Sequence, residues 1–195
     1  MKVVFGGSFN PPTIAHQAIV VYLSKHFEEV ILIPNADDYQ KNNLVSYSHR
    51  EKMVKLMTED LKNVVVSDLE NRRGFKGTVE TLRELNHPYF ACGEDCLEQF
   101  SLWIHPLDLL KENNFLIFTR QSSIKMIESK ISNDPLLNPF RDHFNIVQID
   151  FPNVSSSEFR RKYDQKIVNS KVFQYIVENK PVSYTHLRAH ETDSY

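Results

Sequence analysis

The chain is poor in the features that mark specialised classes of protein. It has only two cysteines in 195 residues, Cys92 and Cys96. That is too few for a disulfide framework, so a reducing, cytoplasmic setting is expected. A metal held by these two with His87 or His105 is disfavoured, because no second ligand pair stands at zinc spacing. No apolar run approaches the roughly 20 residues of a membrane span, and Met1-Lys2-Val3-Val4-Phe5 runs into a strand-like stretch without a signal-peptide pattern. Neither sign of charge dominates: 23 Lys+Arg against 25 Asp+Glu leave a formal net charge of −2. That argues against a chain devoted to nucleic acid, although it leaves room for a local basic patch. Neither a membrane nor a nucleic-acid partner is expected. Internal repeats and low-complexity linkers are absent as well. What is present, 41% hydrophobic and 25% charged residues, suits one globular domain with a sizeable core.

Apolar strand-like runs at 2–5, 29–33, 64–67, 89–92, 115–118 and 145–149 alternate with helical patterns at 14–27, 49–61, 79–85, 97–103 and 124–131. A terminal helix is expected at 172–178, and 133–143 reads as a loop. Ser48 with Glu51, and Asp95 with Glu98, have capping-box spacing for the second and fourth helices. The order implies an α/β fold: a single doubly wound, Rossmann-like parallel sheet with right-handed crossovers and helices on both faces. Its ligand crevice should lie at the carboxyl ends of the strands.

The most informative stretch follows the first strand: Gly6-Gly7-Ser8-Phe9-Asn10-Pro11-Pro12-Thr13-Ile14-Ala15-His16. It reads as strand, glycine turn, helix start. A helix N-terminus carries unpaired N–H groups and partial positive charge, so it attracts phosphate. Gly6 and Gly7 let a ligand approach the backbone, and Pro11 and Pro12 stiffen the entry. Thr13 and His16 are presented near the first turn, where His16 can donate to a phosphoryl oxygen at neutral pH. No Gly-Lys-Ser/Thr follows, so this is not a Walker loop, and it is not the G-x-G-x-x-G dinucleotide fingerprint. Far along the chain, Val154-Ser155-Ser156-Ser157-Glu158-Phe159-Arg160 has capping-box spacing between Ser155 and Glu158. Hydroxyls and free N–H groups at such a helix start, with Arg160 one turn inside, suit a triphosphate.

These two segments resemble the proximal G-G-(S/T)-F-(D/N)-P-x-(H/T)-x-G-H and distal I-S-S-T-x-I-R motifs of the nucleotidylyltransferase superfamily. Ala15 stands where that family usually has glycine, and its methyl is expected to crowd the nucleotide where the backbone approaches it tightly. Gly93-Glu94-Asp95-Cys96-Leu97-Glu98-Gln99-Phe100-Ser101-Leu102-Trp103 resembles the G-x-D-x-L-x-x-F-x-x-W segment of bacterial nicotinate mononucleotide adenylyltransferases. In that family the aspartate lies by the nucleotide sugar and the tryptophan packs on the pyridine ring; Trp103 is the only tryptophan here. Ile33-Pro34-Asn35 followed by Lys41, Ser48, Arg50 and Met53 resembles the family's loop and helix after the second strand. Arg72 or Arg73 with Gly77-Thr78-Val79-Glu80-Thr81-Leu82 resembles the stretch before the third helix, although the family often has Ser-Tyr-Thr where this chain has Lys76-Gly77-Thr78.

The resemblance implies transfer of the adenylyl group of ATP to a pyridine mononucleotide, nicotinate or nicotinamide, with release of pyrophosphate, in NAD biosynthesis. His16, Thr13 and Arg160 are the implied catalytic residues. Gly6, Gly7, Ser8, Phe9, His16, Lys41, Gly93, Asp95, Ser156, Ser157 and Arg160 are the implied ATP contacts, and Thr78 and Trp103 the implied acceptor contacts. Mg²⁺ would accompany ATP with few or no protein ligands. Two alternatives stay open: the same chemistry on another acceptor such as phosphopantetheine, and a nucleotide-binding module without catalysis. A class I aminoacyl-tRNA synthetase fragment is disfavoured by the short chain and the lack of a Lys-Met-Ser-Lys-Ser loop. The domain is expected to cover 1–180. Residues 181–195, with Val182-Ser183-Tyr184-Thr185-His186-Leu187-Arg188-Ala189-His190-Glu191-Thr192, resemble a translated sequencing adapter and are expected to be non-native. Oligomeric state is not legible at this level.

Overall fold

The computed structural model describes residues 1–37, 44–120, 122–150 and 152–181. Six strands form one all-parallel sheet: β1 (Lys2–Gly7), β2 (Glu29–Pro34), β3 (Val64–Val66), β4 (Tyr89–Gly93), β5 (Phe115–Thr119) and β6 (Phe144–Gln148), in the order β3-β2-β1-β4-β5-β6. All six fall where the sequence places them, within one or two residues at their ends. Side chains alternate across the pleat, so each strand feeds two cores. Val3, Phe5, Val30, Leu32, Leu116 and Phe118 face one side. Val4, Ile31, Ile33, Phe90, Phe115 and Ile117 face the other. Both faces are covered, which is why these strands read as nearly continuous apolar runs.

The helices are α1 (Ile14–His26), α2 (Tyr47–Thr58), α3 (Leu69–Arg73), α4 (Thr78–Glu84), α5 (Pro106–Glu112), α6 (Ile124–Asn133), α7 (Ser156–Lys162) and α8 (Ser170–Asn179). The first core takes residues from α1, α2, α7 and α8; the second takes them from α4, α5 and α6. Among the described residues no helix is long and apolar enough to cross a membrane.

Several local expectations are corrected. The second helix begins at Tyr47 behind Ser46, not behind Ser48, because the Asp37 carboxylate accepts the Tyr47 N–H at 2.7 Å and fixes the start from a distant loop. The helix expected at 97–103 is instead two 3₁₀ turns, Glu94–Glu98 and Phe100–Leu102, with Gly93 rather than Asp95 in the first cap position. Leu97 and Phe100 are buried three residues apart and Trp103 lies three further on, a spacing that matches three residues per turn. Residues 133–143 are not all loop: α6 runs to Asn133, and a 3₁₀ segment spans Asn138–His143. The sequence reading missed α3 and α5, both short. Pro106 opens α5, after His105 turns the chain with φ of 50°.

Sheet order positions the site. From β1 the chain builds outward through β2 and β3, then returns to the other side of β1 to lay down β4. The β1 and β4 carboxyl ends therefore diverge, which opens a crevice there.

Candidate active site

A cleft of about 670 Å³ opens at this divergence, within the usual size range of small-molecule sites. Gly6, Gly7 and Ser8 line it from the end of β1, Asn35 from beyond β2, Gly93 and Asp95 from the end of β4 and the turn after it, and Arg120 from beyond β5. Ser155, Ser156, Ser157 and Arg160 enter from α7, and Thr78 and Trp103 from the segments after β3 and β4. The fold thus gathers both phosphate-type motifs, some 150 residues apart in sequence, around one cavity.

The glycine turn leaves room for a ligand. A Cβ on Gly6 would meet the Phe90 ring at 3.7 Å and the Ile33 carbonyl oxygen at 3.8 Å, both ordinary contacts, and one on Gly7 the Phe9 ring at 3.4 Å. The protein's own packing therefore tolerates a methyl at Gly6, and the glycine leaves that side of the turn open to the cleft. The turn is held from beneath by Arg50, which is fully buried and donates to the Val45 carbonyl at 2.7 Å, the Ser8 carbonyl at 3.2 Å and Asp37 at 3.1 Å. Asn10 adds a hydrogen bond from the Val45 N–H, at 3.2 Å.

His16 is fixed by its neighbours. The Thr13 N–H donates to Nδ1 at 3.0 Å, and the Thr13 hydroxyl lies 2.8 Å from the same atom. An Nδ1 that accepts a backbone N–H carries no proton, so the ring proton sits on Nε2. The Phe9 ring meets the imidazole edge-on at 5.3 Å and Phe5 lies at 6.2 Å. Burial, with the nearby Arg120 guanidinium, lowers the His16 pKa to about 4. The residue is a neutral Nε2–H donor at physiological pH.

Thr13 is wholly buried and is not among the cleft-lining residues; its contacts make it the support of His16 rather than a ligand contact. Phe9, 1% exposed with φ of 46°, borders the cleft but packs its ring on Phe5 and His16. The Ala15 methyl is fully buried and is not among the cleft-lining residues. Lys41 lies outside the described residues.

α7 opens as the sequence predicts, with the Ser155 hydroxyl accepting the Glu158 N–H at 3.1 Å. Its first turn is tied to the glycine loop. Ser156 donates to the Pro11 carbonyl at 2.8 Å, and Arg160 donates to the Asn10 carbonyl at 2.5 Å and to Ser157 Oγ at 2.9 Å. The distal motif therefore braces the proximal one while presenting its own hydroxyls to the cavity.

On the opposite wall, Trp103 packs against Phe100 at 4.9 Å and Phe90 at 5.8 Å. Thr78 is the first residue of α4, and Asp95 folds its carboxylate over Gly93. Sequence reasoning missed two charged residues here. Glu70 is 6% exposed and accepts from Thr81 at 2.7 Å, and Thr81 in turn accepts from Arg73 at 2.7 Å. Arg120 is exposed at the cleft. Neither stands in a segment with local pattern; only strand order brings them here. Cys92 and Cys96 are free thiols that also line the cleft. A hydrogen bond with Cys96, then burial, pushes the Cys92 thiol well above its ordinary value, so it is inert as a nucleophile. Among the described residues no three or more His, Cys, Asp or Glu side chains cluster as a metal site.

A cytidylyltransferase-like family model matches residues 4–162. The chain is 34% identical over 189 residues to a protein of Acholeplasma laidlawii named "Probable nicotinate-nucleotide adenylyltransferase", covering 92% of this chain and 96% of that one. It is also 34% identical over 193 residues to a protein of the same name in Fusobacterium nucleatum, covering 90% and 97%. Among solved structures, Plasmodium falciparum nicotinic acid mononucleotide adenylyltransferase complexed with NaAD matches with a TM-score of 0.76 at 22% identity, covering 95% of this chain and 98% of that one. The same enzyme complexed with APC gives 0.73 at 21%, with the same coverage. At that identity the likeness is one of fold.

Proposed function

The chain belongs to the cytidylyltransferase-like family, among the nicotinate-nucleotide adenylyltransferases, and from that premise we propose that its cleft joins ATP to nicotinate mononucleotide. The mononucleotide phosphate attacks the α-phosphorus of ATP. The bond from Pα to the bridging oxygen of the β-phosphate breaks, pyrophosphate leaves, and a dinucleotide for NAD biosynthesis remains. The nucleophile is already an anion, so no base is required. The residues align the two phosphates and stabilise the charge that builds on the reacting group.

The observation that carries this reading is His16, held neutral by burial with Nδ1 engaged. That leaves Nε2–H as a donor for an α-phosphate oxygen, supplying a hydrogen bond without a proton that could be lost. Thr13 acts through His16. Ser156, Ser157 and Arg160 receive the β- and γ-phosphates at the start of α7, with Lys41 assisting. Gly6, Gly7, Ser8 and Phe9 shape the turn on which the phosphates rest. Gly93 and Asp95 border the ATP sugar, while Thr78 and Trp103 take the pyridine ring. Arg120, exposed beside His16, faces the anionic reaction centre.

Magnesium fits this donor set as a companion of ATP. Asp95, an exposed carboxylate at the cleft, would hold it together with the triphosphate oxygens. When bound it would neutralise charge on the departing pyrophosphate.

Pyrophosphate release with ATP and Mg²⁺ tests the proposal across four conditions: nicotinate mononucleotide, nicotinamide mononucleotide, phosphopantetheine and no acceptor. Release that depends on the nicotinate compound is expected. Release with phosphopantetheine alone would move the chain to another acceptor, and ATP binding without release would make it a non-catalytic module.

A further inference from the structure

Gly77 is buried, has φ of +99°, and stands directly before Thr78. A Cβ added there would lie 2.9 Å from Ile104 Cβ and 3.1 Å from its Cγ2. Ile104 therefore occupies the space that a side chain at 77 would need. Ile104 itself is 44% exposed, lines the cleft and follows Trp103 directly. A residue so exposed contributes little to the core, yet its β-branched side chain has few χ1 options and holds a fixed shape. The contact joins the two segments that carry the acceptor wall: the start of α4, with Thr78, and the turn before α5, with Trp103. Those helices are also joined at their far ends. Arg83 of α4 donates to Glu112 of α5 at 2.8 and 2.6 Å. Phe100 and Phe90 back the indole on its other side.

We propose that Gly77 and Ile104 are a matched pair that sets the spacing between Thr78 and Trp103, which makes Ile104 a positioning residue for the pyridine mononucleotide. This rests on the adenylyltransferase reading above. The glycine at 77 is required by a partner side chain as well as by its own φ, and the two demands separate experimentally. In Gly77→Ala the methyl presses on Ile104 and displaces the Trp103 turn. In the double variant Gly77→Ala/Ile104→Gly, which also removes the Ile104 Cβ at 2.9 Å, the pressure is relieved while the backbone strain remains.

The test uses steady-state kinetics on the wild type, Gly77→Ala, Ile104→Ala, Ile104→Leu and the double variant. Titration of intrinsic fluorescence with nicotinate mononucleotide accompanies it, since Trp103 is the only tryptophan in the chain. Loss of the Ile104 contact should raise KM for nicotinate mononucleotide roughly tenfold, the scale of a mismatched apolar contact. KM for ATP should stay within about twofold, the quench curve should shift with KM, and Ile104→Leu should fall between Ile104→Ala and the wild type. The double variant should bind the acceptor better than Gly77→Ala while still melting below the wild type, because strain at φ of +99° lowers stability in both. If Gly77→Ala does not fold, the Ile104 variants alone decide. Unchanged acceptor KM and quench in Ile104→Ala, equal losses for both substrates, or a double variant no better than Gly77→Ala would overturn the pairing. A wild type that turns over no pyridine mononucleotide would instead overturn the reaction assignment.

Discussion

The His16 imidazole lies against two aromatic rings and near a guanidinium, and all three keep it neutral. Its pKa of about 4 in the folded chain stands below the ordinary 6.5. Between those values the unfolded chain binds a proton that the folded chain does not, so stability rises with pH across that window, by at most about 1.4 kcal/mol per unit. The wild type should therefore lose stability relative to His16→Gln as pH falls below about 6.5, which thermal melts at several pH values will show. By NMR the ring should titrate near 4. His16→Ala should lower kcat roughly 10²–10³-fold, the scale for removing one preorganised donor, with an unchanged far-UV spectrum. Arg50 makes a different residue-scale case. Replacing it with methionine removes its bond to the Ser8 carbonyl and leaves the buried Val45 carbonyl without its donor, the latter at about 1–3 kcal/mol. Urea unfolding should show the loss, and activity should drop as well, because the bond to Ser8 shapes the glycine turn.

At the scale of elements, α7 joins a legible start to an illegible attachment. The Ser155–Glu158 spacing predicts the cap, and the bond is there; Ser155→Ala should cost about 1 kcal/mol in a denaturant midpoint. That Ser156 and Arg160 tie this helix to the Pro11 and Asn10 carbonyls was not readable, since nothing local couples residues so far apart. Arg160→Lys keeps the charge but loses the planar fork, so kcat/KM for ATP should fall by about 10²-fold, the scale of one lost donor. The missed and misplaced elements share a cause. Ser46 and Ser48 are equally good caps by composition, and a hydrogen bond from the Tyr47 N–H to Asp37 chose between them. Leu97, Phe100 and Trp103 fit a 3₁₀ spacing as well as one face of a helix, and packing against Phe90 and Phe115 selected the former.

At the scale of the whole molecule, the first core depends on its last helix. Val172 and Ile176 of α8 are fully buried in the core that contains Phe5 and Phe9, and Tyr175 reaches His49 on α2 with 2.8 Å between Oη and Nδ1. Ile176→Ala should therefore lower stability by about 2–5 kcal/mol, as for other large-to-small core changes, read by chemical denaturation. A destabilised α8 should also weaken catalysis, since α7 and α8 support the face that holds the glycine turn.

Strand positions, the parallel α/β class, the glycine turn and the capped distal helix were determined by sequence alone. Each is a local pattern: alternation along a strand, a capping spacing, or a run of residue types before a helix. Tertiary structure decided what those patterns share. Strand order placed β1 beside β4, drew two distant motifs onto one cleft, and added Arg120, Glu70 and Ile104, which no local signal marks. The reason is that periodicity and capping act over a few residues along the chain. Burial, charge pairing and steric fit depend instead on residues that only the folded sheet brings together.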